Sequence, residues 1–213
     1  MQSADTSQRS ELWWSSRLGK VTASKVKDVM AKGRGGAPSA TRTNYMMQLL
    51  CERLTGTREE GFTSAAMARG TELEPLARTA YELFADGEVT ETGLILHPRI
   101  DGFGASPDGM VGERGLLEIK CPNTATHVLT LQSGVHDSTY DWQMLAQMAC
   151  TDRDWVDFVS FDDRLPEELQ YFCARFQRDE RRIREMETEV KLFLEELAEL
   201  EHDMRERMKS RAA

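Results

Sequence analysis

Apolar and polar positions alternate in two rhythms along this chain, and the switches between them predict its elements. Trp13 and Trp14 open a short helix leading to Arg17. Val26, Val29 and Met30 share a helical face ending at residue 30, with Thr22 as its N-cap. Residues 33–39, a Gly-Arg-Gly-Gly-Ala-Pro-Ser run, read as a flexible loop. Thr41 caps the next helix, which turns Tyr45, Leu49 and Leu50 inward. A longer helix over residues 64–84 carries Glu74, Leu76, Ala77 and Ala80 and is interrupted near Gly70. Residues 89–96 read as one strand, 138–150 as a helix, 155–161 as a strand, and Tyr171 falls on a last strand. Ile183, Met186, Val190, Phe193, Leu197 and Leu200 repeat at three-and-four spacing, predicting an amphipathic helix over residues 174–208. Such a stripe either covers the chain's own sheet or forms a seam between subunits, the first being about twice as common.

The segment from Ser106 to Pro122 departs from these packing patterns. Gly112 and Gly115 bracket Glu113-Arg114 between two short apolar runs, which predicts a β-hairpin with a further helix after Pro122. Side chains alternate along its second strand, so Glu118 and Lys120 share a face about 6.6 Å apart while Ile119 faces the core. The turn brings Asp108, separated from Glu118 by nine intervening residues, back alongside it. Two carboxylates in contact repel unless a cation lies between them. Asp108 and Glu118 offer hard oxygen ligands suited to Mg²⁺ or Mn²⁺, whose bound water becomes a nucleophile at neutral pH. Lys120 would orient that water or stabilise charge on a phosphorus centre. The bland alternative is a solvated surface hairpin, since charged residues make up 30% of the chain.

Composition narrows the field. A length of 213 residues fits one domain with a sizeable core, and we expect residues 1–60 to face the ligand, 61–173 to form the central unit and 174–208 the terminal helix. Residues 1–60 carry 10 Lys/Arg against 6 Asp/Glu, so the overall charge of −9 arises downstream. Asp152, Asp154, Asp157, Asp162 and Asp163 are expected to face outward and supply part of it. Four scattered cysteines argue against a zinc site, an iron–sulfur cluster and a disulfide framework, and suit a reducing cytoplasm. No apolar run spans a bilayer, so no membrane role is expected.

The motifs together resemble the phage lambda-type exonucleases, the YqaJ-like viral recombinases of the PD-(D/E)xK nuclease superfamily. The resemblance runs through Leu12-Trp13, Arg17-Leu18-Gly19, Thr22-Ala23-Ser24, residues 69–74 (Arg-Gly-Thr-Glu-Leu-Glu), the SPDG and LEIKCP blocks, and Tyr140-Asp141-Trp142-Gln143. It implies an α/β (α+β) restriction-endonuclease-like core, a central mixed β-sheet flanked by helices, with a long C-terminal amphipathic helix. It implies a processive 5′→3′ exodeoxyribonuclease that degrades one strand of linear double-stranded DNA to mononucleotides, leaving a 3′ strand for recombination by annealing. It also implies two Mg²⁺ or Mn²⁺ ions per site, a toroidal homotrimer, a single-strand annealing partner and a phage- or prophage-encoded protein of the bacterial cytoplasm. Alternatives are a structure-specific endonuclease or nickase of the same superfamily, or a non-catalytic DNA-binding module.

By the same resemblance, Asp108, Glu118 and the Ile119 carbonyl bind metal, Lys120 is the catalytic lysine, and Glu74 reaches the metal site. Arg17, Ser24 and Ser106 match a 5′-phosphate pocket; the alternatives are a surface salt bridge for Arg17 and capping or turn roles for the serines. Gln143 matches a glutamine near the metal, with a buried structural amide as competitor. Arg34 matches a basic residue approaching the duplex, or is a solvated loop residue. Met67 matches an apolar wedge between terminal bases, or is core.

Overall fold

The computed structural model describes Gln8 and residues 10–58, 64–85 and 87–212. Helices α1 (Glu11–Arg17), α2 (Val26–Met30), α3 (Ala40–Thr55) and α4 (Ala65–Ala85) precede most of the strands. Strands β1 (Val21–Thr22), β2 (Val89–Thr90), β3 (Ile95–Leu96), β4 (Phe103–Ala105), β5 (Gly109–Val111), β6 (Gly115–Lys120), β7 (Trp155–Phe161) and β8 (Tyr171–Gln177) form two sheets. Helices α5 (Thr124–Ser133) and α6 (Asp141–Thr151) cross from β6 to β7, and α7 (Glu180–Ala212) ends the described chain.

The larger sheet runs β2-β5-β6-β7-β8, with β6 and β7 parallel and the other pairs antiparallel. A smaller sheet, β1-β4-β3, packs against α6 through β3 and β4. This is the expected mixed sheet flanked by helices. Both faces of β6 are covered, which explains its nearly continuous burial. Leu117 and Ile119 pack with Ala77 and Tyr81 of α4. Leu116 lies on the other face, in the core shared with Met144, Leu145 and Met148 of α6. Alternation therefore turns Glu118 toward α6 as well.

The β5–β6 hairpin forms where its glycines predict. Gly112 has φ 51°, and Gly115 leaves room for the Trp155 ring, which an added Cβ would strike at 2.0 Å. Other boundaries differ from the sequence reading. Thr22 lies in β1 and its side chain caps nothing; a 3-10 turn at Ala23–Lys25 precedes α2. Ser39, and not Thr41, caps α3 by accepting from Arg42 N at 3.1 Å. The 33–39 loop contains a 3-10 turn at Arg34–Gly36 and a bridge from Lys32 to Pro38. α4 runs unbroken through Gly70, with Leu73, Ala77 and Tyr81 buried and Leu76 exposed. The single strand expected over 89–96 is two strands in different sheets.

The terminal helix starts at Glu180 because residues 171–177 extend as β8. Its stripe from Ile183 to Leu197 is buried, chiefly against α2, α3 and α6, in the core cluster that also holds Leu116, Val156 and Phe158 of the sheet. Leu200 is 39% exposed, so the buried stripe stops one turn early. Two of the five aspartates expected to face outward are buried. Asp157 binds Tyr81 and Arg175, and Asp162 binds Arg69 and Arg164. Among the described residues, no helix is long and apolar enough to cross a membrane.

Candidate active site

Asp108 stands immediately before β5, and its main-chain N–H donates to Leu117 O across the hairpin at 3.1 Å. Its Oδ2 accepts from the main-chain N–H of Ile119 at 2.7 Å. Glu118 is almost wholly buried beside it. Lys120 Nζ and Gln143 Nε2 both donate to Glu118 Oε1, and Gln147 Nε2 donates to Oε2. The Lys120 ammonium also lies 4.8 Å from the centre of the Tyr140 ring. Glu74 reaches the cluster from α4, and Arg78, one turn on, lies 3.6 Å from it and donates to Asp108 O at 3.2 Å. The hairpin thus brings Asp108, Glu118 and Lys120 together, with Gln143 and Glu74 beside them.

The electrostatics suit a cation. Burial, then the Glu118 charge, hold the Asp108 carboxyl well above its ordinary range, against the pull of Lys120; Glu74 pushes the same way. Burial disfavours the Lys120 ammonium, but Glu118 and Asp108 outweigh it and raise its pKa, so it stays charged. Cys121 is pushed up to about 12 by burial and then by Glu74, so it remains a thiol and a poor ligand. Among the described residues, no three His, Cys, Asp or Glu side chains converge closely enough to hold a metal ion alone. Two carboxylates with a main-chain carbonyl nonetheless fit Mg²⁺, which keeps several waters and takes substrate phosphate oxygens in place of an all-protein cage.

A second site lies next along the chain. Arg17 Nη1 and Trp13 Nε1 both donate to Ser106 Oγ at 3.0 Å. Arg17 also stacks on Trp13, 4.2 Å from the ring centre, and Arg58 on Trp14, at 3.6 Å. A cavity of about 340 Å³ is lined by Arg17, Lys20, Ser24, Lys25, Arg58 and Met67, among others. The one carboxylate among the described lining residues, Glu52, accepts from Gly19 N and Gln48. Burial lowers Arg17 to about 10, with Tyr45 opposing and Arg58 adding to the effect. The result is a desolvated guanidinium in a basic cavity, poised for an anion.

Ser24 lies on the 3-10 turn Ala23–Lys25 that leads into α2, and not in the first turn of the α-helix itself. Met67 is 59% exposed at the cavity, which rules out the core reading. Arg34 is exposed on its own turn and is not a lining residue of the cavity. Pro107 alone separates Ser106 from Asp108, and its carbonyl accepts from Gln8 Nε2 at 2.7 Å. Sequence reading missed Gln147, Arg78, Tyr140 and Arg58 as site residues. Only Gln147, one helical turn after Gln143, had a readable signal.

The model of the YqaJ-like viral recombinase domain matches residues 12–154. The chain belongs to this family. An alkaline exonuclease from Laribacter hongkongensis, LHK-Exo, is 54% identical over 96% of this chain and 100% of that one, with a TM-score of 0.89. A structure of LHK-Exo in complex with dAMP matches equally well. A phage-related exonuclease from Haemophilus somnus 129PT is 18% identical, covering 87% of this chain and 96% of that one at a TM-score of 0.70, a likeness of fold. No curated protein matches the chain. Membership of the YqaJ-like family supports a nuclease role in recombination, acting on DNA, and nucleases of this kind generally depend on divalent metal.

Proposed function

We propose that this YqaJ-like protein is a divalent-metal-dependent 5′→3′ exonuclease that degrades one strand of linear double-stranded DNA to mononucleotides. The observation that carries this reading is the juxtaposition of an anion-binding cavity and an acidic cluster, joined through Ser106-Pro107-Asp108. Its exonuclease relatives, including one solved with dAMP, support the same reading.

Asp108, Glu118 and the Ile119 carbonyl would hold Mg²⁺ or Mn²⁺, two ions in all, with Glu74 close by. Bound there, such ions neutralise charge on the scissile phosphate and lower the pKa of a water. Lys120 orients the nucleophilic water or stabilises charge on the phosphate oxygens. Gln143 orients a water or a phosphate oxygen from its place on Glu118 Oε1. Arg17 presents a guanidinium fork to the terminal 5′-phosphate, with Ser106 and Ser24 adding hydroxyl donors. Met67, exposed at the cavity, is placed to press against a terminal base pair, and Arg34 would contact the duplex farther out.

A homotrimer encircling DNA, a single-strand annealing partner and a cytoplasmic setting in a phage-bearing bacterium complete the proposal. All of residues 1–213 would act as one nuclease domain. Digestion of end-labelled linear duplex with 5′-phosphate or 5′-hydroxyl ends, beside closed circular DNA, tests it. Mononucleotides released first from 5′-phosphorylated ends are expected. Cutting of the circular substrate would instead favour an endonuclease or nickase.

A further inference from the structure

The carboxylate of Glu118 is held asymmetrically. Oε1 receives Lys120 and Gln143, whose side chains are only partly buried. Oε2 receives Gln147 alone, and Gln147 is entirely buried on the inner face of α6. Its own amide oxygen is buried with no hydrogen-bond partner among the described residues. Leaving an amide acceptor unsatisfied inside a core is unfavourable, and an apolar side chain of similar length would avoid it. Reversing the amide would not help, because it would set that oxygen against the carboxylate. The buried amide is thus explained by its bond to Glu118.

We propose that Gln147 is a positioning residue for the cation site, fixing Glu118 Oε2 so that Oε1 is the oxygen presented to the divalent ion. This rests on the metal-dependent reading given above. Lys120 and Gln143 sit at the partly exposed side and have room to yield Oε1. Gln147 has none, being fully buried on α6. Without it the carboxylate would be free to rotate about its last torsion. It would then offer either oxygen, and ordering it would fall to the incoming ion. Groups that orient metal ligands from behind commonly change affinity by about 10- to 100-fold when removed.

The test is direct Mn²⁺ binding to the full chain without DNA, followed by calorimetry or by the Mn²⁺ EPR signal, with thermal unfolding in EDTA alongside. Gln147→Met keeps the length and removes the donor; Gln147→Asn keeps the amide but withdraws it by one methylene. Both are expected to weaken Mn²⁺ binding by roughly tenfold or more. Unchanged affinity in either folded variant, even with a lowered Tm, would assign Gln147 a purely structural role and overturn the proposal. If Gln147→Met does not fold, Gln147→Asn decides the matter, and if neither folds, the residue is structural and the proposal fails. Wild-type protein and Asp108→Asn serve as the reference pair. Failure of the wild type to bind Mn²⁺ would defeat the metal-dependent reading itself. Binding that is lost in Asp108→Asn but kept in both Gln147 variants would defeat this inference alone.

Discussion

Asp108 Oδ2 accepts a 2.7 Å hydrogen bond from the main-chain nitrogen of Ile119, the residue between Glu118 and Lys120. The acid at the end of one strand is therefore tied to the backbone of the strand that supplies the other two charged groups.

That tie makes Asp108→Asn an informative variant, because an asparagine oxygen keeps the bond. Burial and the Glu118 charge raise the folded-state pKa of Asp108. A carboxyl raised on folding lowers stability as pH climbs from its unfolded value toward its folded one. In EDTA near neutral pH, Asp108→Asn should unfold at a higher temperature than wild type, with the difference shrinking toward pH 4. Nuclease turnover should fall at least about 10³-fold. A lower Tm throughout would contradict the charge argument.

Lys120→Met removes the ammonium that Glu118 and Asp108 keep protonated. Turnover should drop by about 10²–10³-fold, with duplex binding in Ca²⁺ largely intact. Loss of that binding in a gel-shift assay would move Lys120 from chemistry to substrate capture.

Arg17 offers a fork, and Lys a point charge. Arg17→Ala should cut the rate ratio between 5′-phosphorylated and 5′-hydroxyl ends by roughly tenfold to a hundredfold, the equivalent of a charged hydrogen bond. Arg17→Lys should restore little of it. Equal slowing on both ends would count against a phosphate pocket.

Asp162 is fully enclosed between Arg69 and Arg164. Its burial opposes ionisation, but hydrogen bonds led by Arg164 prevail and lower its pKa. Stability from such a group is present above its unfolded pKa and disappears as pH falls toward the folded value. Asp162→Asn should cost roughly 1–3 kcal/mol at pH 7, and progressively less as pH falls below the unfolded value, as at pH 3. Denaturant titrations at both pH values would measure this.

Along α7, Phe193→Ala should cost about 3–5 kcal/mol, whereas Leu200→Ala should stay within about 0.5 kcal/mol. Equal costs in urea unfolding would mean that the stripe is buried beyond Leu197.

Local chemistry made the hairpin and its charged triad legible in the sequence. Gly112 and Gly115 fixed the turn, and strand alternation then fixed which residues met. The unbroken course of α4 was not legible, because a glycine weakens a helix in isolation. At Gly70 the helix is carried through by the packing of α4 on β6 and β7, which no local pattern encodes. Val89 and Ile95 sit in one apolar run, and nothing local says that they belong to different sheets. Asp157 and Asp162 looked like surface charges because their arginine partners lie 18 and 93 residues away or, for Arg164, two residues on at a turn. Arg78 gains meaning only once α4 packs against β6.

Because one proline links Ser106, which holds Arg17 of the cavity, to the aspartate of the acid cluster, the reach from anchor to blade is set largely by covalent bonds. Consecutive Cα atoms cannot stretch beyond about 3.8 Å, and proline stiffens the span further. Here the chain carries its own gauge. On the exonuclease reading, the bite taken from DNA is written into three neighbouring residues, and lengthening that tripeptide by one would first change fragment size.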